Sequence, residues 1–530
     1  LAFRLWQMVG VPAVNTNYFN FRVIDDATET DANDQYEGDL WGPYLAIEQF
    51  DGRALRARGL PDGNIYNMHF ANSNYLNEGK GQVDDRSDLA AFTGGSGYNK
   101  SNPIQEVSWW RENVQLDWYY SYRSIWEVVN HSDQRDQENS NYYHNPETGK
   151  WSIHPWDVDL LYEEFDRWGP DAVQTRVAFE QFRKCLAHDE LNAEFQSRAR
   201  ELQDLLLNDD QLWHVIDEMA SFVGSRTSGG DTLAITALDR DGVRTVATTA
   251  SAHGFTEGQT VYIKGAQPFA FSGEKVIDLI PSSTEFAFKG SIFAPQPEPP
   301  GPDTVVSTTP DGGGWWEIDQ ARWDRHPRSR AVEGPSTRTG SFYVNPFRYT
   351  RFSGKVRELT SPDFPGMVDW VKRFTVPGGF GGNQLQVLAD GGSKEPDKPA
   401  ITYTGPDNFP IDALTFVSSE FSGGTLFVSQ EFAGMQWRLG EISNPSTPGY
   451  EPGKPMIFEI DPVWESGELA DFQSEIILPA EVIDPDSTYR VRVRLKNQLG
   501  QWSHWSDAIE FRATADISPY EGLVISEVMY

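Results

Sequence analysis

The sequence predicts an α+β domain, interrupted by a small all-β unit and followed by a β-sandwich. Three observations carry this reading: an apolar period of three to four residues between about 112 and 130 and again from Leu191 to Val223, a change to a period of two from Gly229, and short alternating strands with regular turn signals from about 397 to 515. A chain of 530 residues is long enough for two or three domains, each with its own core. Lys and Arg total 44 against 78 Asp and Glu, a net charge of -34 that argues against sequence-independent binding to a phosphate backbone. Nucleic acid is therefore not an expected partner. No stretch reaches the ~20 apolar residues that span a bilayer, so no membrane span is expected in this segment. The single cysteine, Cys185, shares an apolar stripe with Phe179, Phe182 and Leu186 and reads as a buried thiol.

Leu45-Ala-Ile-Glu-Gln-Phe and Asn64-Ile-Tyr-Asn-Met-His-Phe alternate as half-buried strands do. Val114, Trp118, Tyr122, Ile125 and Val129 then predict a helix running up to Asn130. Leu191, Phe195, Ala199, Leu202 and Leu206 form a second helical stripe, which Asn208-Asp209-Asp210 breaks and Leu212, Ile216, Met219 and Val223 resume. From Gly229 to about Phe293, strands such as Thr260-Val-Tyr-Ile and Phe286-Ala-Phe are separated by Gly and Ser turns. A Pro-rich linker follows from Ala294, and helical composition returns at Trp315-Trp-Glu-Ile and Met367-Val-Asp-Trp-Val-Lys-Arg-Phe. The β unit is therefore expected to be an insertion into a surface loop of the first domain. In the last unit, Tyr489-Arg-Val-Arg-Val-Arg-Leu places Val491, Val493 and Leu495 on one face and Arg490, Arg492 and Arg494 on the other. The indoles of Trp502-Ser-His-Trp-Ser506 are expected to stack with those guanidiniums and stiffen the sandwich. The expected boundaries are 1–228, 229–300, 301–390, 391–516 and 517–530. Leu1-Ala-Phe-Arg-Leu-Trp reads as the inside of an amphipathic helix and Gly522 to Tyr530 as a strand without its partner, so both ends are expected to continue in a longer protein.

The densest group of polar and aromatic residues runs from Asn130 to Asp159. Physically it reads as a helix end, a polar loop and a hairpin, with Asn141-Tyr-Tyr-His and Trp151-Ser-Ile-His as strands around Pro146-Glu-Thr-Gly. A hairpin brings its two ends together, so Asp133 and Asp136 of the loop are expected beside Asp157 and Asp159, with Asn139 or Asn141 alongside. Such oxygen donors suit a hard divalent cation; the competing reading is that these aspartates cap a helix or hold a structural cation.

The Asn-Tyr-Tyr, Gly-Lys-Trp and Pro-Trp-Asp-x-Asp run resembles the signature of the CotH kinase family, secreted atypical kinases first known from bacterial spore coats. Val9-Gly-Val-Pro-Ala-Val, Gly42-Pro-Tyr-Leu-Ala-Ile-Glu48 and Gly63-Asn-Ile-Tyr66 follow in the order typical of that family. The resemblance implies an atypical kinase-like α+β fold, here N-terminally truncated, that transfers phosphate from ATP with Mg²⁺ or Mn²⁺ to a hydroxyl of a secreted or cell-surface protein. It also implies an extracellular or surface location. An ungapped alignment places the catalytic pair on Asp133 and Asn139 and the metal ligands on Asn139, Asp157 and Asp159. A tighter spacing, like that of ordinary kinases, selects Asp136 and Asn141 instead. Glu48 is implied in nucleotide binding, orienting a lysine across the site. Position 67 departs from the pattern, since Asn67 stands where the family often carries a basic residue. The alternative is a non-catalytic surface scaffold built on a degenerate kinase-like domain. Trp502-Ser-His-Trp-Ser506 resembles an element of fibronectin type III domains, and Leu523-Val-Ile-Ser-Glu-Val-Met-Tyr resembles the opening of a lamin-tail domain.

Overall fold

A computed structural model describes residues 1–22, 40–69, 74–94, 104–131, 138–158, 161–162, 181–224, 232–241, 244–264, 266, 271, 273–289, 296–297, 299–301, 304–308, 364–391, 394–423 and 430–515. The expected helix at Trp315, the expected last strand from Leu523, and Asp133, Asp136, Asp159 and Phe179 lie outside the described residues.

The first helix, α1 (Ala2–Met8), buries Phe3, Leu5 and Trp6, and the Trp6 indole donates to the Tyr122 carbonyl at 3.1 Å. Strands β1 (Thr16–Arg22) and β2 (Leu40–Ile47) pair antiparallel, and α2 (Gly52–Ala57) follows, capped by the Asp51 carboxylate on the Arg53 N–H at 2.8 Å. Next come β3 (Asn64–His69), β4 (Asn74–Asn77), α3 (Ser87–Thr93), α4 (Val107–Asn113) and α5 (Leu116–Val129). With β5 (Glu138–His144) and β6 (Trp151–Pro155), the strands form an antiparallel sheet of order β4-β3-β5-β6.

Helix α5 is buried on nearly every side, which is why its polar residues pair internally: Arg123 bonds Glu127 one turn on, and its guanidinium also lies 4.6 Å from the Trp126 ring. The helix ends at Val129, as its stripe predicts, with Asn130 left-handed at φ 45°. It starts later than the stripe suggests, because Val114 instead bridges to Trp151 of β6. Cys185 is buried as expected, within a 3-10 turn, Phe182–Ala187. Helices α6 (Asp189–Leu205) and α7 (Asp209–Gly224) are the two halves of the second stripe, broken where Asn208-Asp209-Asp210 predicts.

Strands β7 (Thr232–Asp241), β8 (Arg244–Thr249), β9 (Thr260–Lys264), β10 (Gly273–Ser282), β11 (Glu285–Lys289) and β12 (Val305–Ser307) close into a barrel of order β10-β11-β8-β7-β12-β9. Its core holds Val261, Ile263, Phe286, Phe288 and Val306. The closing strand lies beyond the expected boundary at 300: the Pro-rich segment leads back into the barrel before the chain leaves it.

After the barrel, α8 (Phe364–Thr375) packs on α7, and α9 (Phe380–Asp390) packs on α5 and α6. Chain from both sides of the barrel thus builds one core, which includes Leu385 and Ala389 together with Leu202 and Val128. Glycine makes the approach possible, since a Cβ on Gly381 would fall 2.0 Å from the Val128 carbonyl oxygen.

The C-terminal region is sheet-rich. Strands β13 (Ile401–Tyr403), β14 (Thr415–Ser418), β15 (Phe432–Ile442), β16 (Pro462–Glu465), β17 (Glu475–Ile477), β18 (Thr488–Asn497) and β19 (Ile509–Arg512) form two antiparallel sheets, β13-β14-β17 and β16-β15-β18-β19. Both sheets face one core, with Phe416 from the first and Trp437, Leu439, Val491, Val493 and Leu495 from the second. The alternation of β18 is as the sequence predicts: its valines and leucine are buried and its arginines lie on the other face. The Arg494 guanidinium sits 4.6 Å from the Trp502 ring and 4.5 Å from that of Trp505.

This cationic and aromatic face also docks on α6 and on the first turn of α7. The Arg200 Nε donates to the Trp502 carbonyl at 3.0 Å, the Trp505 N–H donates to Asp204 at 2.8 Å, and Arg490 pairs with both Asp210 and the fully buried Glu459. The first core accordingly continues into Phe458, Ile460 and Trp505.

Candidate functional site

The hairpin expected at Asn141 to His154 is present. In β5 and β6, Ser140 lies opposite Pro155, Asn141 opposite His154, Tyr142 opposite Ile153 and His144 opposite Trp151. The Asn145 side chain closes the turn by accepting from the Glu147 N–H at 2.9 Å, and Gly149 supplies the left-handed residue at φ 69°. Beside this closed end, Asp88 accepts from Tyr66 at 2.5 Å and from Asn64 at 3.2 Å, and lies 3.0 Å from the His144 ring. Burial alone would raise the Asp88 carboxyl, but the bonds from His144, Tyr66 and Asn64 hold it below its ordinary value.

The open end of the hairpin is where the sequence concentrates its candidate ligands. Because Ser140 faces Pro155, Asn139 and Asp157 leave the ladder at the same end. Both are left-handed, at φ 57° and 53°, a conformation that Asn and Asp adopt more readily than other non-glycine residues. Asn139 is half-buried and Asp157 exposed. The end of α5 arrives here too: the His131 Nε2 lies 3.5 Å from the Trp156 carbonyl, and the Tyr162 N–H donates to the Val129 carbonyl at 2.8 Å. Asn130 and Tyr162, on the flanking segments, are likewise left-handed. Of the expected residues, Asn139 and Asp157 are therefore brought to one end, while Asp133, Asp136 and Asp159 lie outside the described residues. Among the described residues, no group of three His, Cys, Asp or Glu side chains is arranged to hold a metal ion.

Asn141, the alternate candidate, is fully buried two residues along β5 from Asn139, and its Oδ1 accepts from Asn67 Nδ2 at 2.9 Å across the β3–β5 ladder. Asn67, the residue that replaces a basic one, thus occupies the oxygen that a cation would require. The remaining buried group of Asn141 is its Nδ2 donor, which has no hydrogen-bond partner among the described residues. Opposite Asn141, the buried His154 donates Nδ1–H to the Pro12 carbonyl at 2.7 Å and accepts from the Ser152 hydroxyl at 2.8 Å. Burial depresses it to about 4, so the ring is neutral. Nothing in the sequence singled out His154, since its partner Pro12 is 142 residues away.

Glu48 follows β2 and pairs with Arg58, at 2.6 Å between Nη2 and Oε2; the Asn15 N–H adds a bond at 2.9 Å. The Arg58 hydrogen bond holds the Glu48 carboxyl below its ordinary value against the opposing effect of burial. The described cation on Glu48 is thus an arginine ten residues on, where a lysine across the site was expected. Arg58 adjoins the hairpin through Phe50, whose ring lies 5.9 Å from the guanidinium and 4.7 Å from the His154 imidazole.

Residues 1–233 match the family model described as CotH kinase protein. The match ends where the barrel begins and contains every candidate residue named above. No curated protein matches the chain. Among the described residues, no helix is long and apolar enough to cross a membrane.

Proposed function

We propose that this chain, CotH-type over residues 1–233, is a kinase-like phosphotransferase that moves phosphate from ATP to a hydroxyl of a secreted or surface protein. The observation that carries the reading is the pair of left-handed residues, Asn139 and Asp157, at one end of the signature hairpin. An amide oxygen and a carboxylate leaving the same end fit a hard cation such as Mg²⁺ or Mn²⁺, with Asp159 as a further ligand. When bound, the metal neutralises charge on the phosphates. Asp133 orients the acceptor hydroxyl and takes its proton as phosphate is transferred. Asp136 is the alternate for that role. Asn141 is the weaker candidate as a metal ligand, because its oxygen is bonded to Asn67 and its buried unpartnered group is an N–H₂. That donor suits a phosphate oxygen better than a cation. Glu48 has a positioning role in this reading, fixing the Arg58 guanidinium on the flank of the hairpin. The fold is read as kinase-like, the C-terminal sheets as a fibronectin type III-like sandwich, and the location as extracellular.

The test is labelling of the full protein by radioactive ATP with Mn²⁺. Labelling that is abolished in an Asp157→Ala, Asp159→Ala double variant, with the thermal melt unchanged, is the expected result. Equal labelling of the double variant and the native chain would remove the metal role. Absence of metal-dependent ATP binding in calorimetry would favour a scaffold without catalysis.

A further inference from the structure

A cleft of about 710 Å³ opens between α5, α6 and the β18 end of the C-terminal sheets. Asp117 on its wall and Asn130 beside the open end of the hairpin mark opposite ends of α5, about 20 Å apart at the rise of an α-helix, while Trp118 on the same wall meets the His154 ring of β6 edge-on at 6.0 Å. Its size falls within the roughly 300–1,000 Å³ of small-ligand sites. The helical wall carries Asp117, Glu190, Glu194 and Arg198, and the other carries Arg494 and Lys496 beside Trp502. The carboxylates are held in place: Arg111 bonds Glu190 and Glu194 at 2.5 Å each, and the Tyr120 hydroxyl donates to Glu194 at 3.1 Å. Deeper in, Glu201 is ionised, because Arg198 and Arg494 outweigh its burial and hold its carboxyl at about 2. The Trp118 and Trp502 rings are only partly buried.

We infer that this cleft binds a neutral oligosaccharide. Most lining charges are already paired within the protein, Arg111 with Glu190 and Glu194, Arg198 and Arg494 with Glu201, and Lys496 with Glu468, so the cleft offers little surplus charge to a charged ligand. A sugar both donates to carboxylates and accepts from guanidinium and ammonium groups, and its C–H face packs on an indole such as that of Trp118, so it satisfies both walls. The internal pairing of the lining groups fixes their geometry before the ligand arrives, which lowers the entropy cost of binding.

Calorimetric titration of the full chain with cellohexaose, maltohexaose, chitohexaose, xylohexaose and mannohexaose tests the inference. Saturable binding of at least one sugar is expected, weakened about tenfold or more by Trp118→Ala and by Asp117→Ala. Asp117 is exposed, so its variant decides the matter if Trp118→Ala fails to fold. The inference is overturned by three results: no binding of any of these sugars, binding undiminished in a folded Asp117→Ala chain, or binding of hexalysine or hexaglutamate in place of the sugars.

Discussion

His504 sits where the C-terminal sheets meet the helices, with Nδ1 at 2.9 Å from Asp204 of α6 and Nε2 at 3.3 Å from Asp390 of α9. Burial alone would favour the neutral ring, but the two carboxylates override it and raise the imidazolium to about 9 from an ordinary 6.5. A value raised in the folded state means that the charged ring contributes its full stabilisation below the unfolded value and loses it as pH rises through about 9. Linkage converts that difference to ~3 kcal/mol. With 28% of the side chain exposed, solvent screening lowers the expectation to ~2 kcal/mol. His504→Gln removes the charge and keeps a hydrogen-bonding group of similar reach. Urea unfolding followed by tryptophan fluorescence should show the variant ~2 kcal/mol less stable than the native chain at about pH 6, with the gap closing by about pH 10. The same gap at both pH values would refute the charge argument and leave only a packing role.

Three further outcomes follow from the packing. Gly381→Ala drives a Cβ to 2.0 Å from the Val128 carbonyl, so α9 must shift from α5 and urea unfolding should show a loss of ~1–3 kcal/mol. Leu495→Ala empties a fully buried site between the C-terminal sheets and should cost ~2–5 kcal/mol in the same measurement. Cys185 should resist a thiol reagent in the folded chain and react stoichiometrically in denaturant; rapid reaction of the native protein would contradict its burial.

Elements whose signal is local were legible in the sequence. The period of two in β18 fixed which side chains are buried, and the break at Asn208 separated α6 from α7. The closing strand of the barrel was not legible, because three residues behind a Pro-rich segment carry no periodicity and are defined by pairing with β7 and β9. At the candidate site, the hairpin and the common end of Asn139 and Asp157 could be read from strand and turn signals. The partners of the remaining groups could not: Asn141 is met by Asn67 from 74 residues away, and the Glu48–Arg58 pair faces the hairpin only through tertiary packing. The indole and guanidinium ladder was visible as a local pattern, whereas its contact with Asp204, about 300 residues earlier, is a product of the fold.

Helix α5 ties these parts together. Its C-terminal end meets the open end of the hairpin, its flank packs on α9 through Gly381, and α6 beside it receives the C-terminal sheets through Arg200 and Asp204. A helix buried on nearly every side has almost no solvent face and is packed against all of these neighbours at once. The C-terminal sheets dock through His504 on α6 and α9, both of which pack on α5. The clasp at His504 is thus one packed helix away from α5, whose C-terminal end meets the hairpin.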